Sequence, residues 1–153
     1  MLRNALLLFA TGVSFSSDAS LQVQVKVLNA RTGKPFSRWT VKLIEARGRI
    51  GSGVSVGDII RMESAVTDES GMARYFLEKP LPDRLMLDTS GLRGCIPSGT
   101  LIREWLHKEI LEEGFVQENV CGGDKRKEDS SYGLKPIPGR IVIFGLPVPK
   151  GQW

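Results

Sequence analysis

From residue 21 to residue 27, apolar and polar side chains alternate without a break: Leu21, Val23, Val25 and Val27 against Gln22, Gln24 and Lys26. A period of two puts successive side chains on opposite faces of a strand, so this stretch predicts a β-strand with one buried face. Asn29 to Pro35 is rich in turn formers, and the alternation resumes with Trp39, Val41 and Leu43 predicted to face inward. Residues 48–58 hold four glycines and predict a mobile hairpin or loop. A phosphate-cradling loop would open a helix and carry Lys-Ser/Thr. This one leads instead into another strand-like run, residues 59–66. Thr67-Asp68-Glu69-Ser70-Gly71 is a tight-turn signature, with Asp to accept backbone N–H groups and Gly to take positive φ. Strands are predicted over residues 72–77 and 84–89, separated by Pro80-Leu81-Pro82-Asp83. The run from Ile141 to Val148 does not alternate, which predicts a strand covered on both faces.

One segment departs from this rhythm. Residues 100–113 place Ile102, Trp105, Leu106 and Ile110 at helical spacing, with Gly114 as C-cap and Ser98 or Thr100 to cap the start. Glu109 interrupts the stripe. The prediction is one short helix between Cys95 and Cys121, within an otherwise all-β sandwich or barrel. Residues 122–135 are polar and charged and predict a loop.

The N-terminus changes the reading of compartment. Arg3 precedes a short apolar run through Val13, then small residues up to Ala19, the layout of a secretory signal peptide over residues 1–19. That run is too short to span a bilayer, which takes about 20 apolar residues. The competing reading is a buried N-terminal element. Export predicts a secreted or periplasmic mature domain over residues 20–153, with no transmembrane span. The two cysteines suit that setting: a Cys95 to Cys121 disulfide would contribute about 3 kcal/mol by restricting the unfolded chain. A catalytic or metal-binding thiol is the rival, and it lacks CxxC spacing, a third ligand or a neighbouring histidine. The 153 residues suit a single domain, and 41% hydrophobic content is enough for a core.

The opening strand, Thr32-Gly33-Lys34-Pro35 before the second strand, and Thr67-Asp68-Glu69-Ser70-Gly71 before an aromatic-containing strand together resemble the carboxypeptidase regulatory-like domain. That resemblance covers roughly residues 21–90. It implies a transthyretin-like (prealbumin-like) seven-stranded β-sandwich, with Gly33-Lys34-Pro35 making a first hairpin and Asp68 with Gly71 a second. In metallocarboxypeptidases this domain sits beside the enzyme and carries no catalytic residues; related domains serve as structural or sugar-binding modules. The fold also hosts hydroxyisourate hydrolases, which depend on several histidines. This chain has one, His107, and does not fit them.

The remaining chemistry is sparse. His107 lies about 120–140° from the centre of the predicted helical stripe and is expected at the surface. The acidic loop residues Asp124, Glu128 and Asp129 alternate with Lys125-Arg126-Lys127, which oppose a cation. No carboxylate pair is marked out for glycoside hydrolysis. No catalytic, metal or cofactor residues are assigned. A net charge of +4 and an export signal argue against nucleic acid. Arg38, Trp39, Lys42, Arg47 and Arg49 form a candidate ligand surface for an acidic glycan or a membrane surface. Solvated strand faces are the plainer alternative. Trp39 and Trp105 are expected in the core, and Trp153 free. These observations predict a non-enzymatic envelope module binding a protein or polysaccharide partner, with specific carbohydrate binding as the alternative and a hydrolase third.

Overall fold

The computed structural model of the protein describes residues 21–89, 91–94, 102–121 and 132–148. The proposed signal peptide, Cys95, the helix caps Ser98 and Thr100, most of the charged loop at 122–135, and Trp153 lie outside the described residues.

Alternation becomes burial where it was expected. In β1 (Leu21–Asn29), Val23, Val25 and Val27 are each fully buried. β2 (Thr40–Ala46), β3 (Ile59–Val66), β4 (Met72–Leu77), β5 (Arg84–Asp88) and β9 (Arg140–Pro147) fall where the patterns place strands. The shorter β6 (Leu92–Gly94), β7 (Ile102–Leu106) and β8 (Phe115–Val116) complete two sheets. One runs β4-β1-β9-β6, with β8 also on β9; the other runs β3-β2-β5-β7. The fold is therefore all-β, with nine strands among the described residues where the resemblance implied seven.

The two sheets bury one shared core. Val23, Val25, Val27, Ala73, Tyr75, Leu77, Ile141 and Ile143 of the first meet Val41, Leu43, Leu85, Leu87 and Trp105 of the second. The phenol of Tyr75 crosses the gap and donates to the Val41 carbonyl at 2.8 Å, which satisfies its hydroxyl inside the core. Burial there pushes its pKa up. The doubly covered strand is also found. β9 turns Ile141 and Ile143 to the inter-sheet core, while Val142 and Phe144 pack outward with Leu28 and Ala30. Tyr132, Leu134 and Val116 cover that second face.

Two expectations need correction. The first concerns the helix. Residues 102–106 form strand β7, and the helix α1 is confined to His107–Glu112. Trp105 pairs in register with Leu85 and stacks at 5.2 Å on Phe115, while the Arg103 guanidinium lies 5.1 Å from the same ring. Ile102-Arg103-Glu104-Trp105-Leu106 does not alternate, but pairing along the β5 edge, which a helix would leave open, overrides the helical spacing. Only Ile110 keeps its helical role, fully buried against the end of the core.

The second concerns the turns. The first turn does close a local hairpin, with Leu28 bridged antiparallel to Pro35, but neither turn joins two of the named strands of one sheet. β1 pairs β4 and β9, β2 pairs β3 and β5, so both connections carry the chain across the sandwich. The turn chemistry itself is as read. Asn29 Oδ1 accepts the N–H groups of Arg31 and Thr32, and Asp68 Oδ1 accepts those of Ser70 and Met72. Buried Thr67 ties the two together, donating to the Phe36 carbonyl at 2.6 Å and accepting the Trp39 N–H at 2.9 Å.

Bonds from the Ser70 hydroxyl, the Met72 N–H and Arg74 hold the Asp68 carboxyl well below the usual carboxylate range. A carboxyl with a depressed folded pKa stabilises above its unfolded value, about 3.9, and that contribution is lost as pH falls below it. Asp68→Asn is therefore expected to lower the thermal midpoint at pH 7 and to flatten its decline into acid. A midpoint curve parallel to wild type from neutral pH to acid would contradict this.

Candidate functional site

The most constructed surface lies on the outer face of the β3-β2-β5-β7 sheet, beneath the glycine-rich loop that joins β2 to β3. Arg84, at the start of β5, points away from the core yet is fully buried. Its guanidinium donates to the carbonyls of Arg49 and Gly53, both at 2.7 Å, and pairs with Glu104 of β7 at 3.2 Å. Glu104 Oε2 also accepts the Gly51 N–H at 2.9 Å. The loop base is closed by the Arg47 N–H on the Asp58 carbonyl and by the Gly48 N–H on the Asp83 carboxylate, both at 2.8 Å. Val56–Asp58 forms a single 3-10 turn, capped by Asp58 accepting the backbone and hydroxyl of Ser55. Those bonds lower the Asp58 pKa.

This loop was expected to be mobile. It is pinned at both ends and from beneath, through a buried ion pair that donates to and accepts from its backbone.

Under it lies a cavity of about 430 Å³ lined by Ile44, Val54, Ile59, Met86 and Glu104. Ile44, Ala46 and Met86 form a small buried cluster with Ile59 on this outer face. The cavity is thus an aliphatic recess with one carboxylate in its wall. Its lining suits an aliphatic group, and Glu104, paired with Arg84, adds an acceptor.

The proposed basic ligand surface does not form as one patch. Arg38 and Trp39 precede β2, and Arg47 and Arg49 follow it, so the strand separates them by about 20 Å. Lys42, between them, is occupied by Asp88 at 3.4 Å. Trp39 is half-buried against Phe36, its ring centroid 5.5 Å away, and packs on the core as expected. Arg38 is exposed, with its backbone N–H on the Thr67 carbonyl. Arg47 and Arg49 alone flank the pinned loop.

Elsewhere the chemistry is structural. His107 is half-buried, with Nδ1 3.4 Å from the Asp83 carbonyl. Among the described residues no three acidic, histidine or cysteine side chains come together as metal ligands. Cys121 carries no free thiol. Its proposed partner Cys95 lies outside the described residues.

Glu45 sits at the inner end of β2, 2% exposed, with Oε1 3.5 Å from Arg61 and Oε2 lacking a partner. Arg61 also bridges to Glu78 at 3.0 Å. Burial raises the Glu45 pKa, with Arg61 opposing and Glu63 and Glu78 adding to the shift. So enclosed, it offers no surface to a substrate. A carboxyl whose folded pKa is raised costs stability as pH climbs past its unfolded value, about 4.3. Glu45→Gln is therefore expected to gain on wild type as pH rises from 4 to 7, read by thermal midpoints. A gap that narrows over that range would contradict the burial argument.

Sequence reasoning missed Arg84, Glu104 and the recess. The signal was present: Leu43-Ile44 and Leu85-Met86-Leu87 break strict alternation, which marks strands covered on both faces.

No family model matches the chain, and no curated protein matches it. Among solved structures the chain is similar to a 9R-lipoxygenase from Cyanothece PCC8801, at 15% sequence identity and a TM-score of 0.34. The match covers 85% of this chain but 16% of that one. At that TM-score the likeness supports no statement about fold or activity. What stands is the class: an all-β protein of two packed sheets with a loop-covered aliphatic recess on one outer face.

Proposed function

We propose that the chain is an exported, non-enzymatic module that binds a protein partner at the cell envelope, secreted or periplasmic after removal of residues 1–19. The observation that carries the reading is the recess of about 430 Å³ under a loop held in place by Arg84 and Glu104. A preformed aliphatic pocket accepts an apolar side chain without first paying to order its own walls. In this reading the domain is of the carboxypeptidase regulatory-like, transthyretin-like kind. Support comes from the turns at Asn29 and Asp68, and from the seven strands that remain when short β6 and β8 are set aside. The Cys95 to Cys121 bridge belongs to the same proposal and would tie the segment carrying β7, α1 and β8.

Carbohydrate binding is the second reading. It calls for exposed aromatic faces, and both Trp39 and Trp105 pack on the core instead. Aliphatic walls favour protein over sugar.

The test is a pull-down with the exported protein against envelope protein and polysaccharide fractions, at low and high salt. Capture of a protein that is lost with Val54→Glu, which puts a charge in the recess wall, is the expected result. Capture competed by a free sugar would favour the carbohydrate reading. Capture of nothing, or capture indifferent to Val54→Glu, would overturn the placement of the site.

A further inference from the structure

The loop does more than roof the recess. Val54 lines the cavity while remaining 37% exposed, and two other aliphatic side chains of the same loop face solvent: Ile50 at 45% and Val56 at 89% exposure. Their exposure is fixed by the surrounding hydrogen bonds. Ile50 lies between the Arg49 carbonyl, held by Arg84, and the Gly51 N–H, held by Glu104. With both neighbouring peptide groups tied to the buried ion pair below, the Ile50 side chain is left on the outside. Val56 opens the 3-10 turn that Ser55 and Asp58 cap. Neither can retreat into the core without breaking those bonds.

Arg47 and Arg49 flank this crest, both exposed, and neither guanidinium has an ion-pair or hydrogen-bond partner among the described residues. Acidic groups close by are already engaged: Asp58 by Ser55, Asp83 by Gly48 and Glu104 by Arg84. The crest therefore combines outward aliphatic groups with two uncommitted positive charges.

We propose that this crest seats on an anionic lipid bilayer, with Ile50 and Val56 entering the headgroup–acyl boundary and Arg47 and Arg49 contacting lipid phosphates. The assignment goes beyond partner binding in the recess and uses different side chains. A bilayer fits the crest better than a second protein does. Protein interface cores are enriched in aromatic residues and need a complementary recess opposite each anchor. Residues 47–58 contain no aromatic side chain. Exposed aliphatic side chains need no matching shape in a fluid phase, and the flanking guanidinium groups suit an anionic surface. Because the loop is already pinned, insertion orders little that was free.

Co-sedimentation of the purified protein with phosphatidylcholine vesicles containing about one third phosphatidylglycerol tests this. Binding to these vesicles, weak or absent on pure phosphatidylcholine and reduced by salt, is expected. Val56→Asp is expected to weaken it about tenfold, and Arg47→Gln with Arg49→Gln about 25-fold. Phe76→Asp, at a 51% exposed apolar position on β4 of the other sheet, is expected to leave it unchanged. Thermal midpoints of the variants, all at exposed positions, report whether each remains folded. Absence of sedimentation with the anionic vesicles would overturn the proposal. So would binding indifferent to Val56→Asp or to the arginine pair, or lost equally with Phe76→Asp. Should Val56→Asp instead abolish self-association, with no effect on vesicles, the crest is a contact between copies and the proposal fails. The vesicles contain neither protein nor polysaccharide, so this outcome is separable from that of the envelope pull-down.

Discussion

Arg84→Ala is expected to destabilise the protein by about 3–5 kcal/mol, the range for removing one partner from a buried ion pair. The guanidinium is fully buried and serves three close acceptors, the carbonyls of Arg49 and Gly53 and the carboxylate of Glu104, with the Ser52 hydroxyl a more distant fourth at 3.5 Å. Removing it leaves Glu104 without its counter-charge beneath the loop and takes a strong donor from two carbonyls, which keep only bonds from Ser52. Arg84→Lys is not expected to rescue, since one ammonium cannot reproduce the planar fork that reaches all three. The double replacement Arg84→Met with Glu104→Leu is expected to recover much of the loss, because a buried pair exchanged for apolar groups is often neutral. Urea unfolding of the three variants reads the stability changes. Hydrogen exchange reads the local one: amides such as Gly51 should lose protection in Arg84→Ala even where the rest of the sheet keeps it. A loss below about 1 kcal/mol would mean that the loop holds itself, and that Arg84 is a passenger.

Gly114→Ala is expected to cost about 3 kcal/mol, from two penalties that add. Gly114 ends α1 with φ +76°, a left-handed conformation that a Cβ disfavours. Its N–H closes the helix on the carbonyls of Glu109 and Ile110. A Cβ at this position would also collide with the backbone of Ile137, which cannot rotate away as a side chain would. Relief would require moving residues 137–139, and Gly139 is itself bonded both to Ile110 and to Gln24 of β1. The disturbance would then reach the pairing of β1 with β9. Equilibrium unfolding measures the loss, and a cost under about 1 kcal/mol would show that this corner yields easily.

What the sequence made legible was whatever depends on one stretch at a time. The alternation of Leu21 to Val27 gave the inward valines, the continuous Ile141 to Phe144 run gave a doubly covered strand, and Asn29 and Asp68 gave their turns. What it hid depends on which distant stretches meet. The segment at 102–106 carries helical spacing and no alternation, and the open edge of β5 makes it a strand all the same. The turns were readable as turns, but the sheet each following strand joins is a property of the whole fold. The basic cluster failed for a simple reason: Arg38 and Arg49 are near in sequence, but an extended strand holds their neighbourhoods apart. The recess was hardest to see, since Arg84 and Glu104 are twenty positions apart and meet only through β5–β7 pairing.

The parallel pairing of β1 with β9 sets a condition on when the molecule can fold. Gln24 to Asn29 run beside Arg140 to Gly145, so the earliest described strand is completed by the last. Until residue 145 has been synthesised, one edge of β1 stays open, and Val25 and Val27 lack the neighbours Ile141 and Ile143 in their own layer. Closing a loop of more than a hundred residues before that contact forms makes assembly slow relative to local elements. A chain with this wiring completes its first sheet only once its far end has arrived.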